Sequence, residues 1–256
     1  MDWANLRGTT AAVTGGARGL GYSLASALAA QGVDIALMDV LAEAEESARQ
    51  LHEEYGVRTT GIVVDVTDHR AVAAAFAAAR AELGTVRTLI TAAGITIWND
   101  AIDVPAEEWR KVLGVNLDGS FYAAQAFARG LIEAEESGSA ILVSSMSGHI
   151  VNVPQNQASY NASKAAVRHL GKSLAVEWAG RGIRVNSISP GYFLSDMTRQ
   201  FTEANPELAA EWRARIPLGR MGEPVDLDGL VLYLASSHAS YVTGQDFVID
   251  GGYTAI

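Results

Sequence analysis

The chain has 256 residues, 49% of them hydrophobic and 19% charged, and a formal net charge of −10. That length and balance suit one folded α/β unit rather than a disordered chain, and the absence of any dense Lys/Arg run argues against nucleic acid as the main partner. With no cysteine, disulfides, thiolate metal sites and cysteine nucleophiles are excluded, which fits a cytoplasmic location.

The five histidines (His52, His69, His149, His169, His238) are scattered, with no pair at metal-ligand helical spacing, so no metal site is expected. No apolar run reaches the ~18 residues of a membrane span. The segment Met1–Gly8 lacks a basic region followed by an apolar stretch, so no secretory signal is expected.

In chain order, the apolar run Thr10–Thr14 leads through Gly15-Gly16-Ala17-Arg18-Gly19-Leu20-Gly21 into a helical stretch over Gly19–Ala30. A glycine-rich turn between strand and helix lets backbone approach a pyrophosphate, whose charge meets the helix N-terminus. The spacing is Gly-x3-Gly-x-Gly. A second run, Ile35–Met38, ends at Asp39, eighteen residues past Gly21. An acidic residue there accepts hydrogen bonds from adenosine ribose hydroxyls and repels a 2′-phosphate. Arg18 pulls the other way, since a guanidinium holds phosphate. NAD is favoured and NADP remains possible.

A helix over Ala42–Tyr55 and a strand over Thr60–Val64 come next, then Asp65-Val66 and a helix over His69–Leu83 with Asp68 at its start. The run Thr88–Ala92 precedes Ala93-Gly94, and one long helix is expected over Glu107–Ile132, with Asn116 inside it. Strand Ala140–Ser144 ends at Ser145-Met-Ser147-Gly148.

The next helix, Ser159–Gly180, carries Tyr160 and Lys164 in Tyr-Asn-Ala-Ser-Lys. Four residues are about one helical turn, so both side chains share a face. A phenol titrates near 10, and a neighbouring ammonium lowers that value toward the range useful for proton transfer. The pair is a candidate acid/base for interconverting a carbonyl and an alcohol. Strand Val185–Ile188 precedes Pro190-Gly191. Tyr192–Gly222 is the longest strand-free excursion, with a short helix at Pro206–Arg215; a helix over Pro224–Ala235 and strand Asp246–Ile249 complete the pattern. Excursions of this length often serve as lids.

The alternation of continuous apolar runs with helices predicts a single-domain, doubly wound (Rossmann) α/β fold over residues 1–256. It would have a central parallel sheet of about seven strands flanked by helices, and a substrate lid at about 192–222.

These motifs in this order resemble the short-chain dehydrogenase/reductase family over essentially the whole chain. The resemblance rests on Thr14–Gly21, Asp65-Val66, Asn116 in Val-Asn-Leu, Ser145, Tyr160, Lys164 and Pro190-Gly191. It implies that Ser145 holds the substrate oxygen, Tyr160 exchanges the hydroxyl proton, and Lys164 lowers the phenol pKa and binds the nicotinamide ribose. Asn116 would kink its helix and hold a water linking Lys164 to solvent. Gly15, Arg18, Gly19, Leu20, Gly21, Asp39, Asp65, Val66, Gly94, Pro190, Gly191, Phe193 and Ser195 would complete the cofactor site with Tyr160 and Lys164. Two departures stand out. The family's Asn-Asn-Ala-Gly reads Thr91-Ala92-Ala93-Gly94, and a serine, Ser195, replaces the usual threonine after Pro190.

The segment His149–Gln157 is rich in amides, where a steroid or fatty-acyl pocket would be apolar. With Ser144–Thr198 it resembles polyol dehydrogenases and ketose reductases, of the mannitol, sorbose/sorbitol, xylulose and galactitol type. Ser145, Ser147, Asn152, Tyr160 and Tyr192 are the implied substrate contacts, with Trp98 near the lid. The rival expectations are a 3-oxoacyl thioester reductase with the same chemistry, and a non-catalytic nucleotide-binding sensor. Apolar residues on more than one face of the helices at 107–132 and 159–180, with family analogy, suggest a homotetramer.

Overall fold

The computed structural model describes residues 4–256; Met1–Trp3, and with them the start of the segment read for a signal, lie outside the described residues. Seven strands form one parallel sheet: β1 (Thr10–Thr14), β2 (Asp34–Asp39), β3 (Thr59–Val63), β4 (Val86–Thr91), β5 (Gly138–Val143), β6 (Ile183–Pro190) and β7 (Asp246–Ile249). Their order is β3-β2-β1-β4-β5-β6-β7. The chain steps from one edge back to the centre between β3 and β4, so β1 and β4 lie side by side at the point where a crevice opens beyond the strands' C-terminal ends.

Strands β1 and β2 are buried along their whole length and apolar between their polar end residues. On one face, α1 (Gly19–Ala29), α2 (Glu43–Tyr55) and α9 (Asp228–Ala235) cover a core that includes Leu24, Leu28, Leu51 and Val231. On the other, α3 (His69–Leu83), α5 (Gly119–Glu133) and α6 (Ala158–Trp178) cover Phe76, Leu89, Phe127 and Leu174. Asp68 caps α3 by accepting from the amides of Arg70 and Ala71. No helix among the described residues is long and apolar enough to cross a membrane.

Three expectations need correction. The single helix expected over 107–132 is divided: α4 (Ala106–Leu113) passes through a π-helical turn, Gly114–Asp118, before α5 begins. Asn116 sits in that turn, fully buried, and its side chain takes over the main chain of Ile95. The helix expected from Pro224 begins as a 3-10 turn, Pro224–Leu227, capped reciprocally by Glu223 and Asp226. The excursion after β6 holds two helices rather than one, α7 (Asp196–Ala204) and α8 (Pro206–Ala214). Its two ends are joined, since Leu194 and Gly222 exchange main-chain bonds with Gly222 and Tyr192. Of the apolar residues on these helices, Val112, Ala124, Phe127 and Leu174 are buried within one chain, while Val115, Phe121, Ala165, Leu170 and Trp178 are only partly buried.

Candidate active site

At the first β–α turn the chain has almost no room for side chains. Gly15 has φ +66°, and a Cβ there would stand 2.5 Å from the Ala93 amide nitrogen. A Cβ on Gly21 would strike the carbonyl of Gly15. These glycines let the turn nest against the end of β4 and leave the start of α1 open. Arg18, the N-cap, is extended and makes no side-chain cap, and no acidic residue occupies the first turn. The free amides there suit a pyrophosphate. Arg18, Gly19 and Ser195 line a cleft of about 340 Å³ at this end, together with Arg199 and Pro224.

Asp39, at the tip of β2, is buried, and its carboxylate accepts from the amides of Ala17 (3.0 Å) and Leu41 (3.1 Å). It therefore braces the glycine turn. Asp65 lies two residues beyond β3, exposed, and accepts from the Thr67 amide and hydroxyl. Val66 is buried against Gly119. Leu20 is partly buried against the core. Gly191 comes after β6 so close to Asp250 that a Cβ would lie 2.7 Å from its Cα. Phe193 packs its ring on Gly222. Ser195 caps α7, accepting from the Thr198 amide and sharing a 3.0 Å bond with the Thr198 hydroxyl.

The reactive groups gather where β5 ends. Ser145 is extended and its Oγ accepts from the Ser147 amide at 3.1 Å. Lys164 is buried, and its Nζ donates to the Val143 carbonyl at 2.8 Å and stands 5.7 Å from the centre of the Tyr160 ring. A Cβ on Gly94 would lie 3.4 Å from both Lys164 Nζ and Asn116 Oδ1, so those two groups face one another across the glycine. Asn116 Oδ1 accepts from the Ile95 amide (2.8 Å); its Nδ2 donates to the Ile95 carbonyl (3.0 Å) and to Ser163 Oγ (2.9 Å). Ser163 carried no signal in the sequence, because its part is to support Asn116. Thr91, the departure at the end of β4, has a buried hydroxyl without a partner among the described residues.

The electrostatics differ from the expectation of a lysine-lowered phenol. Burial pushes the Tyr160 phenol above its usual value, opposed by a hydrogen bond from Ser145. The same burial lowers the Lys164 ammonium to about 8. Desolvation outweighs the attraction between phenolate and ammonium at this separation.

The amides of the 149–157 segment turn inward. Ser147 Oγ donates to Asn152 Oδ1 at 2.6 Å, and Asn152 Nδ2 (3.2 Å) and Gln155 Nε2 (2.8 Å) both donate to the Tyr192 hydroxyl. The Tyr192 ring stacks on Trp212 of α8, with centres 4.3 Å apart. Trp98 meets Phe201 of α7 edge-on. Farther back, Arg168 donates to His149 Nδ1 (2.9 Å), so the ring's proton lies on Nε2, which donates to Asp246 at 2.6 Å. Asp246 also accepts from the Ser187 and Ser189 hydroxyls.

Residues 15–254 match the family model described as enoyl-(acyl carrier protein) reductase. The galactitol 2-dehydrogenase (L-tagatose-forming) of Cereibacter sphaeroides is 45% identical over 97% of this chain and 96% of that protein. Among solved structures, a short-chain type dehydrogenase/reductase from Mycobacterium marinum is 40% identical, with a TM-score of 0.93 over 100% of this chain and 99% of that one. A gluconate 5-dehydrogenase from Burkholderia cenocepacia, solved with NADP and tartrate, is 34% identical, with a TM-score of 0.93 over 100% and 98%.

Proposed function

The chain belongs to the short-chain dehydrogenase/reductase family, and on that premise we propose that it interconverts a sugar alcohol and its ketose with a nicotinamide dinucleotide. The observation that carries this reading is the gathering of Ser145, Tyr160, Lys164 and Asn116 at the end of β5, beside a helix N-terminus left open for phosphate.

The family's cofactor supplies or accepts the hydride. The turn Gly15–Gly21 and the first amides of α1 hold the pyrophosphate, with Leu20, Asp65, Val66, Gly94, Pro190, Gly191, Phe193 and Ser195 around the remainder. Ser145 Oγ positions the substrate oxygen against the Tyr160 phenol. Tyr160 gives up its proton when a carbonyl is reduced and takes one when an alcohol is oxidised. Developing negative charge on that oxygen meets two preorganised hydroxyl donors. Lys164 brings a positive charge beside the phenol and the ribose, and Asn116 holds the main chain of Ile95 so that the space over Gly94 stays open. Because oxidation needs the Tyr160 phenolate as base, alcohol oxidation should quicken toward alkaline pH.

NAD is the favoured cofactor in this reading, on the strength of the buried, negatively charged Asp39 at the tip of β2. Arg18 leaves NADP as a second substrate, and the relative solved with NADP supports that second arm. Polyol specificity is supported by the inward-turned amides of Asn152 and Gln155 and by the relative named for galactitol. An acyl thioester, the substrate class nearer the family model's own description, gives those two amides fewer hydroxyls to meet. Residues 192–222 act as the lid, and assembly as a cytoplasmic homotetramer belongs to the same proposal, with exposed Val176 on α6 among the residues to be covered.

Initial rates over C4–C6 polyols and ketoses, with both cofactors, test this. A sugar alcohol should be oxidised, and Tyr160→Phe should abolish turnover while nucleotide still binds. Retained turnover in that variant refutes the assignment.

A further inference from the structure

Two polar atoms near the lid are buried without a partner among the described residues: the carbonyl oxygen of Gln155 and the indole N–H of Trp212. Both residues are more than nine-tenths buried, with 6% and 4% of their surface exposed. They flank the same side chain. Gln155 Nε2 donates to the Tyr192 hydroxyl at 2.8 Å, and the Trp212 ring lies parallel to the Tyr192 ring at 4.3 Å. One is an acceptor and the other a donor, and leaving either unmet in the interior is costly.

We propose that Gln155 and Trp212 form a subsite for a hydroxyl carried on a carbon remote from the reacting one. A CHOH group suits such a pair, because its oxygen can accept from the indole while its proton goes to the amide carbonyl. A methylene or a thioester carbon does neither. The surroundings are aromatic: Tyr192 and Phe201 both stack on the Trp212 ring, so the indole N–H is held at a fixed place. The place suits it too. A continuous series of contacts runs from Ser145 through Ser147, Asn152 and Tyr192 to the pair. Gln155 belongs to the segment after Ser145 and Trp212 to α8, so the subsite draws on both walls beside Tyr192. This inference rests on the polyol reading and sharpens it: the site measures chain length by hydroxyls.

The test compares Gln155→Leu and Trp212→Phe with the parent enzyme. The first keeps the bulk and removes the amide; the second keeps the ring stack and removes the donor. Steady-state kinetics would be measured on hexitols and ketohexoses and on a short diol, butane-2,3-diol, with both cofactors. Trp212→Phe should raise KM for the six-carbon substrates about tenfold or more, with kcat/KM for the short diol held within about twofold; Gln155→Leu, which also loses the bond to Tyr192, should lose more on the six-carbon substrates than on the short diol. Equal losses on short and long substrates, or no loss on either, overturn the subsite. A parent enzyme that oxidises the short diol but no hexitol overturns it as well, leaving the hydride chemistry intact. A parent that oxidises no alcohol with either cofactor removes the underlying polyol reading, and the subsite with it.

Discussion

Lys164 is the residue whose removal should most clearly separate stability from activity. Its ammonium is buried, and that burial lowers its pKa from 10.5 to about 8. The gap corresponds to roughly 3 kcal/mol, at ~1.36 kcal/mol for each tenfold change. A base whose folded pKa lies below its unfolded value weighs against the fold while it is protonated. The burden is therefore complete below pH 8 and lifts as pH rises toward 10.5. Lys164→Met removes it at every pH but leaves the Val143 carbonyl without its donor, a pH-independent loss of about 1–3 kcal/mol. At pH 7 the variant should thus be level with the parent or up to about 2 kcal/mol more stable, though inactive. The sharper quantity is the change with pH: between pH 7 and pH 10 the parent should gain roughly 2–3 kcal/mol on the variant. Urea unfolding of both proteins across that range, without nucleotide, measures it. A stability difference that stays flat with pH would show that Lys164 is not held in a desolvated site.

Other substitutions probe the supports around it. Asn116→Ala leaves the part-buried main-chain groups of Ile95 without their partner and removes one bond to Ser163 Oγ, and should cost about 1–3 kcal/mol in denaturant unfolding; no loss at all would mean the π turn does not depend on it. Gly21→Ala drives a methyl into the Gly15 carbonyl and should weaken nucleotide binding more than tenfold in a fluorescence titration, with circular dichroism unchanged; parental affinity would refute the close fit of the turn. Asp39→Ser removes the charge at the tip of β2 and should lower the NAD-to-NADP ratio of kcat/KM at least tenfold, whereas an unmoved ratio assigns cofactor choice elsewhere.

Much of this architecture was written locally. Fully buried strands such as β1 and β2 need apolar interiors, and the glycine turn announces itself because only glycine fits at position 15 against Ala93. What escaped reading depends on distant partners. The break at Gly114–Asp118 exists because Asn116 meets Ile95, twenty-one residues earlier, and no helical period encodes that meeting. Asp39 reads as a free carboxylate at a strand end, yet the amide of Ala17 takes one of its oxygens. Tyr160 and Lys164 share a face, as four-residue spacing requires, but whether that face is wet or dry is set by the strands beneath it. That decides the direction of both pKa values.

The link from His149 to Asp246 spans 97 residues and sets a timetable. At roughly 5–20 residues per second, a ribosome releases β7 some seconds after the turn that bears Ser145. Until then His149 lacks its anchor, and Ser187 and Ser189 lack the carboxylate they share. The newborn chain therefore carries every reactive side chain before it has the edge strand that steadies them. A product terminated short of Asp246 should be inert as well as fragile.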